Sequence, residues 1–217
     1  IGFYAFEGCS NLTSITIPEN SQLMGIGMRT FYKCRNLTSV NIPESVVSIG
    51  VSAFQGCSNL ISITIPKNVT RIPRYAFSGC TNLTSIIIPE SVTIIDNGAF
   101  ANCSSLTSIT LPISVTSIEL GAFRDCSGLT SITLPENLTN IGHYVFEGCS
   151  NLTSVTFPAG VAKIGNYIFR SCNNLKTIYC YAEIVPETST NAFANSHPEN
   201  ATLYVPYNVV NSYKATE

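Results

Sequence analysis

Residues 114–135 read SVTSIELGAFRDCSGLTSITLP, and residues 137–158 repeat the same arrangement of residue types 23 positions later. Phe123, Cys126 and Pro135 mark three fixed places in this phrase. Equivalent residues recur along the chain at the same spacing, apart from one 25-residue step between two cysteines near the start. They are Phe6, Phe31, Phe54, Phe77, Phe100, Phe123, Phe146 and Phe169; Cys9, Cys34, Cys57, Cys80, Cys103, Cys126, Cys149 and Cys172; and Pro18, Pro43, Pro66, Pro89, Pro112, Pro135 and Pro158. Three residue types that keep one period establish a tandem repeat.

The first half of each copy predicts a short β-strand. In the fourth copy, residues 83–88 read LTSIII, and Ile86 and Ile88 occupy alternate positions that would face one side of a strand. Pro89 ends the strand because proline has no N–H to donate to a neighbouring strand. The expected strand therefore has an inward apolar face and an outward face of small polar residues.

The second half of each copy predicts turns on the far side of a coil. Residues 46–57, VVSIGVSAFQGC, place apolar residues three and four positions apart. This spacing favours turns with a short helical or 3-10 segment rather than a second strand. The slot after Ile49 is Gly in five copies, but it is Pro73 in another, and proline fixes a negative φ. We therefore expect a close contact at this Gly slot, not a left-handed turn.

A single unit of this length cannot bury its own apolar face, so the copies are expected to stack into a solenoid. Nine strands at about 4.8 Å spacing would form a parallel sheet roughly 40 Å long.

The phrase LTSITIP followed by VTSIGxxAFxxC resembles the BspA-type leucine-rich repeats, also called the Treponema pallidum class. These repeats occur in surface proteins of Bacteroidetes and spirochaetes, and the tail ATLYVPYNVVNSYKATE is similar to their closing segment in Bacteroidetes. The resemblance implies a curved, right-handed leucine-rich-repeat solenoid, with a parallel sheet on one face. It implies one domain over residues 1–217, with about eight repeats and a degenerate repeat or cap at about 175–217. Because the chain opens in mid-repeat, we expect it to be a fragment of a longer protein.

Composition argues against several classes of function. Charged residues make up 11% of the chain, yet no run reaches the ~18 apolar residues of a membrane helix, so this segment is not expected to insert into a membrane. The net charge of -2 gives no basic surface for nucleic acid. Asp96 and Asp125 are the only aspartates, and they lie away from the strand half. No catalytic constellation or cofactor motif is present, so we expect a protein that is not an enzyme and has no cofactor.

The nine cysteines have three interpretations: metal ligands, disulfides or core packing. Structural zinc requires closely paired ligands, whereas only Cys172 and Cys180 lie less than 23 residues apart. Stacked coils would bring Cα atoms within disulfide range, but parallel side chains give a poor bond torsion. Packing is favoured because Ser196 replaces the thiol in the last copy and Cys180 falls in an isoleucine slot.

The outward strand positions form an uncharged row of Ser and Thr that changes to Tyr near the C-terminus. This row suits a parallel sheet, where Thr ladders add a few tenths of a kcal/mol per pair. It also suits a partner-binding face, and its regularity resembles ice-binding solenoids, although curvature would spoil a flat match to ice. The candidate partner-binding residues are Tyr179, Tyr204, Lys176, Thr177, Thr202, Ile87, Ser131, Thr133 and Thr156.

Two tyrosines at equivalent slots, Tyr179 and Tyr204, are expected to place their rings side by side on adjacent strands. A tyrosine-rich patch with a basic residue has the composition of a binding hot spot. Tyr207 and Tyr213 are expected instead to cap the open end of the solenoid.

The resemblance implies an extracellular or cell-surface scaffold, with its signal and anchor outside this segment. BspA-type proteins act as adhesins toward host matrix and plasma proteins such as fibronectin and fibrinogen, and they mediate attachment between bacteria. We therefore expect a monomer with a host protein partner. A carbohydrate-binding module or a cell-envelope spacer is the alternative.

Overall fold

The computed structural model describes residues 1–214, and residues 215–217 lie outside the described part. Each coil contributes a short strand from its LTSITIP half, and most coils add a two-residue strand before the phenylalanine. In chain order the strands are β1 Ser14–Thr16, β2 Gly25–Ile26, β3 Ser39–Asn41, β4 Ser48–Ile49, β5 Ser62–Thr64, β6 Arg71–Ile72, β7 Ser85–Ile87, β8 Ile94–Ile95, β9 Ser117–Ile118, β10 Ser131–Thr133, β11 Asn140–Ile141, β12 Ser154–Phe157, β13 Lys163–Ile164, β14 Thr177–Cys180, β15 Glu187–Thr188 and β16 Thr202–Tyr204. The C-terminal part adds 3-10 segments Pro198–Asn200 and Tyr207–Val209 and a short helix α1, Val210–Lys214.

The longer strands form the predicted parallel ladder, but not as one unbroken sheet. The hydrogen-bonded groups are β1–β3, β5–β7 and β10–β12–β14–β16, and residues 108–110 of the intervening coil form no strand. Where the ladder is interrupted, backbone bonds beside the strand positions still join the coils: Ile61 N–H donates to the Thr38 carbonyl at 3.2 Å. The expected nine-strand sheet is therefore present as three shorter sheets along one face.

The far side of each coil contains turns, as predicted, together with a second ladder that the sequence did not predict. Strands β2–β4, β6–β8–β9–β11 and β13–β15 pair in parallel there. The turns that follow are held alternately within and between coils. Cys57 N–H donates to the Phe54 carbonyl at 3.1 Å in the same coil, whereas Phe54 N–H donates to the Ala76 carbonyl at 2.9 Å in the next. This alternation explains why no continuous helix forms.

The Gly slot is a close contact, as expected. Gly50 has no positive φ, and a Cβ there would clash with the backbone of Gly27 and Met28 in the preceding coil.

The core consists of rows of identical side chains that run along the solenoid. Successive phenylalanine rings are stacked with centroids 5.2 to 5.9 Å apart from Phe6 to Phe169. The internal members of this row, such as Phe100, are fully buried, and a leucine row such as Leu106 and Leu129 packs beside them. Phe193 continues the stack in the degenerate last coil at 5.4 Å from Phe169.

The cysteines form a third buried row, which confirms the packing interpretation over disulfides. All nine are free thiols, and only Cys9 is exposed. Each thiol of the row also makes a hydrogen bond: Cys126 Sγ donates to the Phe100 carbonyl at 3.1 Å, one coil back. Ser196 makes the same contact to the Phe169 carbonyl through its hydroxyl at 2.5 Å. The slot therefore requires a small side chain with a donor, which explains why serine replaces cysteine in the last copy.

Burial makes these thiols unreactive, which gives a first prediction. Loss of hydration raises the pKa of Cys126 to about 12 and that of Cys34 to about 11. The thiolate is the nucleophilic form, and a raised pKa leaves almost none of it at pH 8. In a thiol titration at pH 8 with an aromatic disulfide reagent, we expect one fast-reacting group, Cys9, in the native protein and nine after denaturation.

A Cys9→Ser variant is the control for this titration, and it should remove the fast phase without changing the slow one. A second native thiol that reacts as fast as Cys9 would contradict the buried row.

Candidate functional site

The strand face of the last four coils brings most of the candidate residues into two straight columns. In one column Thr133 pairs with Thr156, Thr156 with Tyr179, and Tyr179 with Tyr204. These residues project outward because the strand period of two sends the intervening Ile132, Val155 and Ile178 into the core. We call this surface the C-terminal strand face, defined by strands β10, β12, β14 and β16.

Tyr179 and Tyr204 form a stacked pair at the end of this column. Their ring centroids are 5.0 Å apart with an interplanar angle of 20°, so the expected neighbour contact is confirmed. Tyr179 is 37% exposed and Tyr204 is 52% exposed. Each ring holds the other in place, and the pair presents a rigid apolar surface with two hydroxyl groups at its edge.

The second column lies beside the tyrosines. Ser131 pairs with Ser154, Ser154 with Thr177, and Thr177 with Thr202. Lys176 precedes this column at the level of Thr177; its backbone N–H donates to the Thr153 carbonyl at 2.9 Å, and its side chain is in an exposed residue. Within residues 1–214 the Lys176 ammonium makes no ion pair, so a positive charge is available beside the two rings.

The threonine hydroxyls of this face divide into two groups. The row just before the strands is used for structure: Thr130 Oγ1 donates to the Thr107 carbonyl at 3.2 Å, and Thr153 Oγ1 to the Thr130 carbonyl at 2.9 Å. The hydroxyls of Thr133 and Thr156 make no side-chain hydrogen bond to any residue in the described part of the chain. Only this second group can hydrogen-bond a partner without breaking a bond between coils.

Ile87 is not part of this face. It is 64% exposed and pairs with Thr64 in the separate sheet β5–β7, and residues 108–110 intervene before β10. The sequence prediction grouped it with the tyrosines because it breaks the Thr pattern in the same column. The interruption of the ladder separates the two places, so we treat Ile87 as an isolated exposed side chain.

The two tyrosines that were expected to form the cap behave differently. Tyr213 packs against the core, and its hydroxyl donates to the Ala182 carbonyl at 3.0 Å and lies 3.3 Å from Cys180 Sγ. Burial and the contact with Cys180 raise the pKa of Tyr213 above its ordinary range. Tyr207 is 96% exposed, so the prediction that it caps the core is wrong. Helix α1 directs Tyr213 onto the open end, whereas Tyr207 begins the preceding 3-10 turn and faces solvent.

Residues 1–214 contain no group of three or more His, Cys, Asp or Glu side chains arranged to hold a metal ion. Over the same residues no helix has both the length and the apolar character needed to span a bilayer.

The parallel coils, the 23-residue spacing and the stacked rows define a leucine-rich-repeat solenoid. The family model of the BspA type leucine rich repeat region matches residues 1–107 and 93–214 in six copies. The chain therefore belongs to the BspA-type leucine-rich-repeat family.

Solved structures of bacterial proteins share this fold. A leucine-rich repeat protein from Bacteroides ovatus is 29% identical with a TM-score of 0.69, over 95% of this chain and 64% of that one. A leucine rich cell surface protein from Faecalibacterium prausnitzii is 29% identical with a TM-score of 0.56, over 90% and 69%. The T. pallidum leucine rich repeat protein is 24% identical with a TM-score of 0.57, over 99% and 86%. The chain thus spans less than two thirds of the Bacteroides ovatus protein, and no curated protein gives a significant match.

Proposed function

We propose that the protein is a cell-surface scaffold that binds a protein partner through the C-terminal strand face, in the manner of an adhesin. The observation that carries the proposal is the stacked, exposed pair Tyr179 and Tyr204 beside the unpaired Lys176. Tyrosines in such pairs supply large contact areas at low entropic cost, since few side-chain torsions need to be fixed. The proposed partner is a host matrix or plasma protein.

The distribution of exposed apolar side chains supports this location. Large exposed apolar residues gather in the last two coils, whereas the strand positions of β10 and β12 present hydroxyls. The C-terminal members are Tyr179, Tyr181, Ile184, Leu203, Tyr204 and Tyr207. An aromatic centre beside a polar row matches the apolar core and polar rim of protein interfaces.

Family and fold are typical of non-enzymatic interaction scaffolds, and the proposal includes no catalytic role. A cell-surface location is supported by the Faecalibacterium prausnitzii relative, which is described as a leucine rich cell surface protein. We propose further that residues 1–217 act as one solenoid domain within a longer surface protein.

The test is the double variant Tyr179→Ala with Tyr204→Ala. Removing two hot-spot tyrosines should weaken binding by 30-fold or more, which corresponds to about 2 kcal/mol. Folding should persist because both side chains lie outside the core. The measurement is surface plasmon resonance against immobilised fibronectin and fibrinogen, with circular dichroism to confirm the fold.

The chain offers a matched control in a second stacked pair. Tyr144 and Tyr167 lie on adjacent coils with centroids 5.1 Å apart, on the turn side of the solenoid. The double variant Tyr144→Ala with Tyr167→Ala removes the same atoms from a different face, and we expect it to keep wild-type affinity. Equal losses in both double variants, or unchanged affinity in the first, would contradict the proposed site.

A further inference from the structure

The side of the solenoid that carries the turns contains an open groove of about 710 Å³. Tyr75, Gly98, Ala101, Gly121, Arg124 and Tyr144 form its central part, and it extends from Gln55 to Arg170. Those two ends lie five coils apart, so the groove is roughly 24 Å long at about 4.8 Å per coil. We call it the turn-face groove.

The groove exists because two outward rows of the repeat become small in the same coils. One row lies two residues before each phenylalanine and the other lies one residue after it. Large side chains fill most positions of both rows, but the coil of Phe100 has Gly98 and Ala101, and the next coil has Gly121. The rows are Tyr4, Arg29, Ser52, Tyr75, Gly98, Gly121, Tyr144 and Tyr167, and Glu7, Tyr32, Gln55, Ser78, Ala101, Arg124, Glu147 and Arg170.

Tyr75 depends directly on the glycine beside it. A Cβ added at Gly98 would lie 2.5 Å from Cε1 of the Tyr75 ring, so the ring leans into the space that the glycine leaves. Tyr75 is 39% exposed and forms one wall of the groove. Tyr144 stands beyond Gly121, three coils away from Tyr75, and lines the groove at that distance.

Both walls have a backbone that is unfavourable for tyrosine. Tyr75 has φ of 55° and Tyr144 has φ of 59°, which is the left-handed region where a Cβ costs about 1–2 kcal/mol. Gly98 and Gly121 adopt the same φ without that cost. The repeat thus accepts glycine in this slot, and the tyrosines are retained on both sides of the gap despite the strain.

A fixed group of charges lines one end of the groove. Glu147 has a 9% exposed side chain and lies between two arginines: Arg124 Nε is 2.9 Å from Oε2, and Arg170 Nη1 is 3.3 Å from Oε1. The Arg124 contact is an ion pair without hydrogen-bond alignment, because its N–H is not directed at Oε2. Each guanidinium carries five N–H donors, so both arginines keep donors for a ligand while the buried carboxylate holds them in place.

These features select the class of ligand. The charges of Arg124, Arg170, Asp125 and Glu147 cancel, so the groove does not favour a polyanion. Its floor cannot add a peptide strand, because Gly98 N–H already donates to the Leu120 carbonyl and Gly121 N–H to the His143 carbonyl, both at 2.9 Å. Aromatic faces next to planar hydrogen-bonding groups fit the apolar faces and hydroxyl edges of sugar rings.

We propose that the turn-face groove binds a neutral oligosaccharide, with sugar rings packed on Tyr75 and Tyr144 and hydroxyls bonded by Arg124 and Arg170. This site is separate from the C-terminal strand face, and its function does not depend on the protein partner proposed above. Its length selects an oligosaccharide over a monosaccharide.

The test begins with a panel of neutral hexasaccharides made of glucose, mannose, xylose or N-acetylglucosamine units, with a heparin hexasaccharide for comparison. Isothermal titration calorimetry should show binding of at least one neutral member with a Kd below about 1 mM, and no binding of the heparin probe. Tyr75→Ala and Tyr144→Ala should each weaken that binding about tenfold or more.

A third variant fills the groove without disturbing the core. Ala101→Gln places in the trough a side chain that the same row already carries at Gln55, and it should abolish binding while the fold and thermal transition are retained. Tyr179→Ala with Tyr204→Ala should leave oligosaccharide binding unchanged. The proposal is overturned if the wild type binds no neutral hexasaccharide, if heparin is the only ligand, or if Ala101→Gln and the two tyrosine variants bind as wild type.

Discussion

Replacing Phe100 with alanine is expected to lower the free energy of unfolding by about 3–5 kcal/mol, a large part of the 5–15 kcal/mol typical of a domain. The Phe100 ring is fully buried and stacks on Phe77 at 5.6 Å and on Phe123 at 5.4 Å. Truncation leaves a cavity that two neighbouring coils share, and the rigid rows on each side prevent it from collapsing. Urea denaturation followed by far-UV circular dichroism measures the loss.

Two controls separate the cavity from a general effect of truncation. Phe193→Ala removes the last ring of the stack, which is only partly buried and contacts Phe169 alone among the stacked rings, so its cost should be less than half as large. Ile87→Ala removes a 64% exposed side chain and should change stability by less than about 0.5 kcal/mol. A Phe100→Ala cost as small as that of Ile87→Ala would show that the stack does not support the fold.

The period of the sequence predicts most of this architecture because each row must repeat to remain continuous. The places of Phe123, Cys126 and the inward Ile132 follow directly from the phrase at 114–135. The stacked contact of Tyr179 and Tyr204 follows as well, since residues at one slot of adjacent coils must be neighbours. What repeats in the sequence is therefore predictable in space.

Departures from the period were harder to predict. The second ladder has only two residues per strand, such as Ser48–Ile49, which is too short for an alternation pattern to be recognised. The break of the first ladder at residues 108–110 depends on how the coils separate, and their sequence SIT is identical to that of the strand Ser62–Thr64. Cys180 and Tyr213 meet only because α1 folds back across the end, and no repeat specifies that contact.

The turn-face groove was not found in the sequence for a related reason. The slot of Gly98 and Gly121 contains four different residue types along the chain, and their shared left-handed backbone is visible only in the structure. The signal was nevertheless present: two adjacent glycines in a row otherwise occupied by Tyr, Arg or Ser mark a gap. In a solenoid such a gap becomes a cavity, because the residues in one slot of successive coils lie side by side.

Removing one whole coil should leave a folded protein, whereas removing one residue fewer should not. Excision of residues 109–131 joins Ser108 to Ile132 and takes out 23 residues, one complete period. Phe146 then takes the place of Phe123 on Phe100, and Cys149 takes the place of Cys126 at the Phe100 carbonyl. Since each coil contacts only its neighbours, we expect a cooperative unfolding transition with Tm within about 5 °C of the original.

Excision of residues 109–130 removes 22 residues and shifts the strand by one position. Ser131 then occupies the inward slot, and Ile132, which is 3% exposed in the native protein, is directed outward. A one-residue slip reverses the faces of a strand, so a hydroxyl is buried and an isoleucine and a leucine lose their core positions. The native chain accommodates two extra residues only in the turn after Pro18, outside the strands. The shorter excision should therefore give a protein without a sharp thermal transition, and two equally cooperative variants in differential scanning calorimetry would show that the register of the rows does not determine the fold.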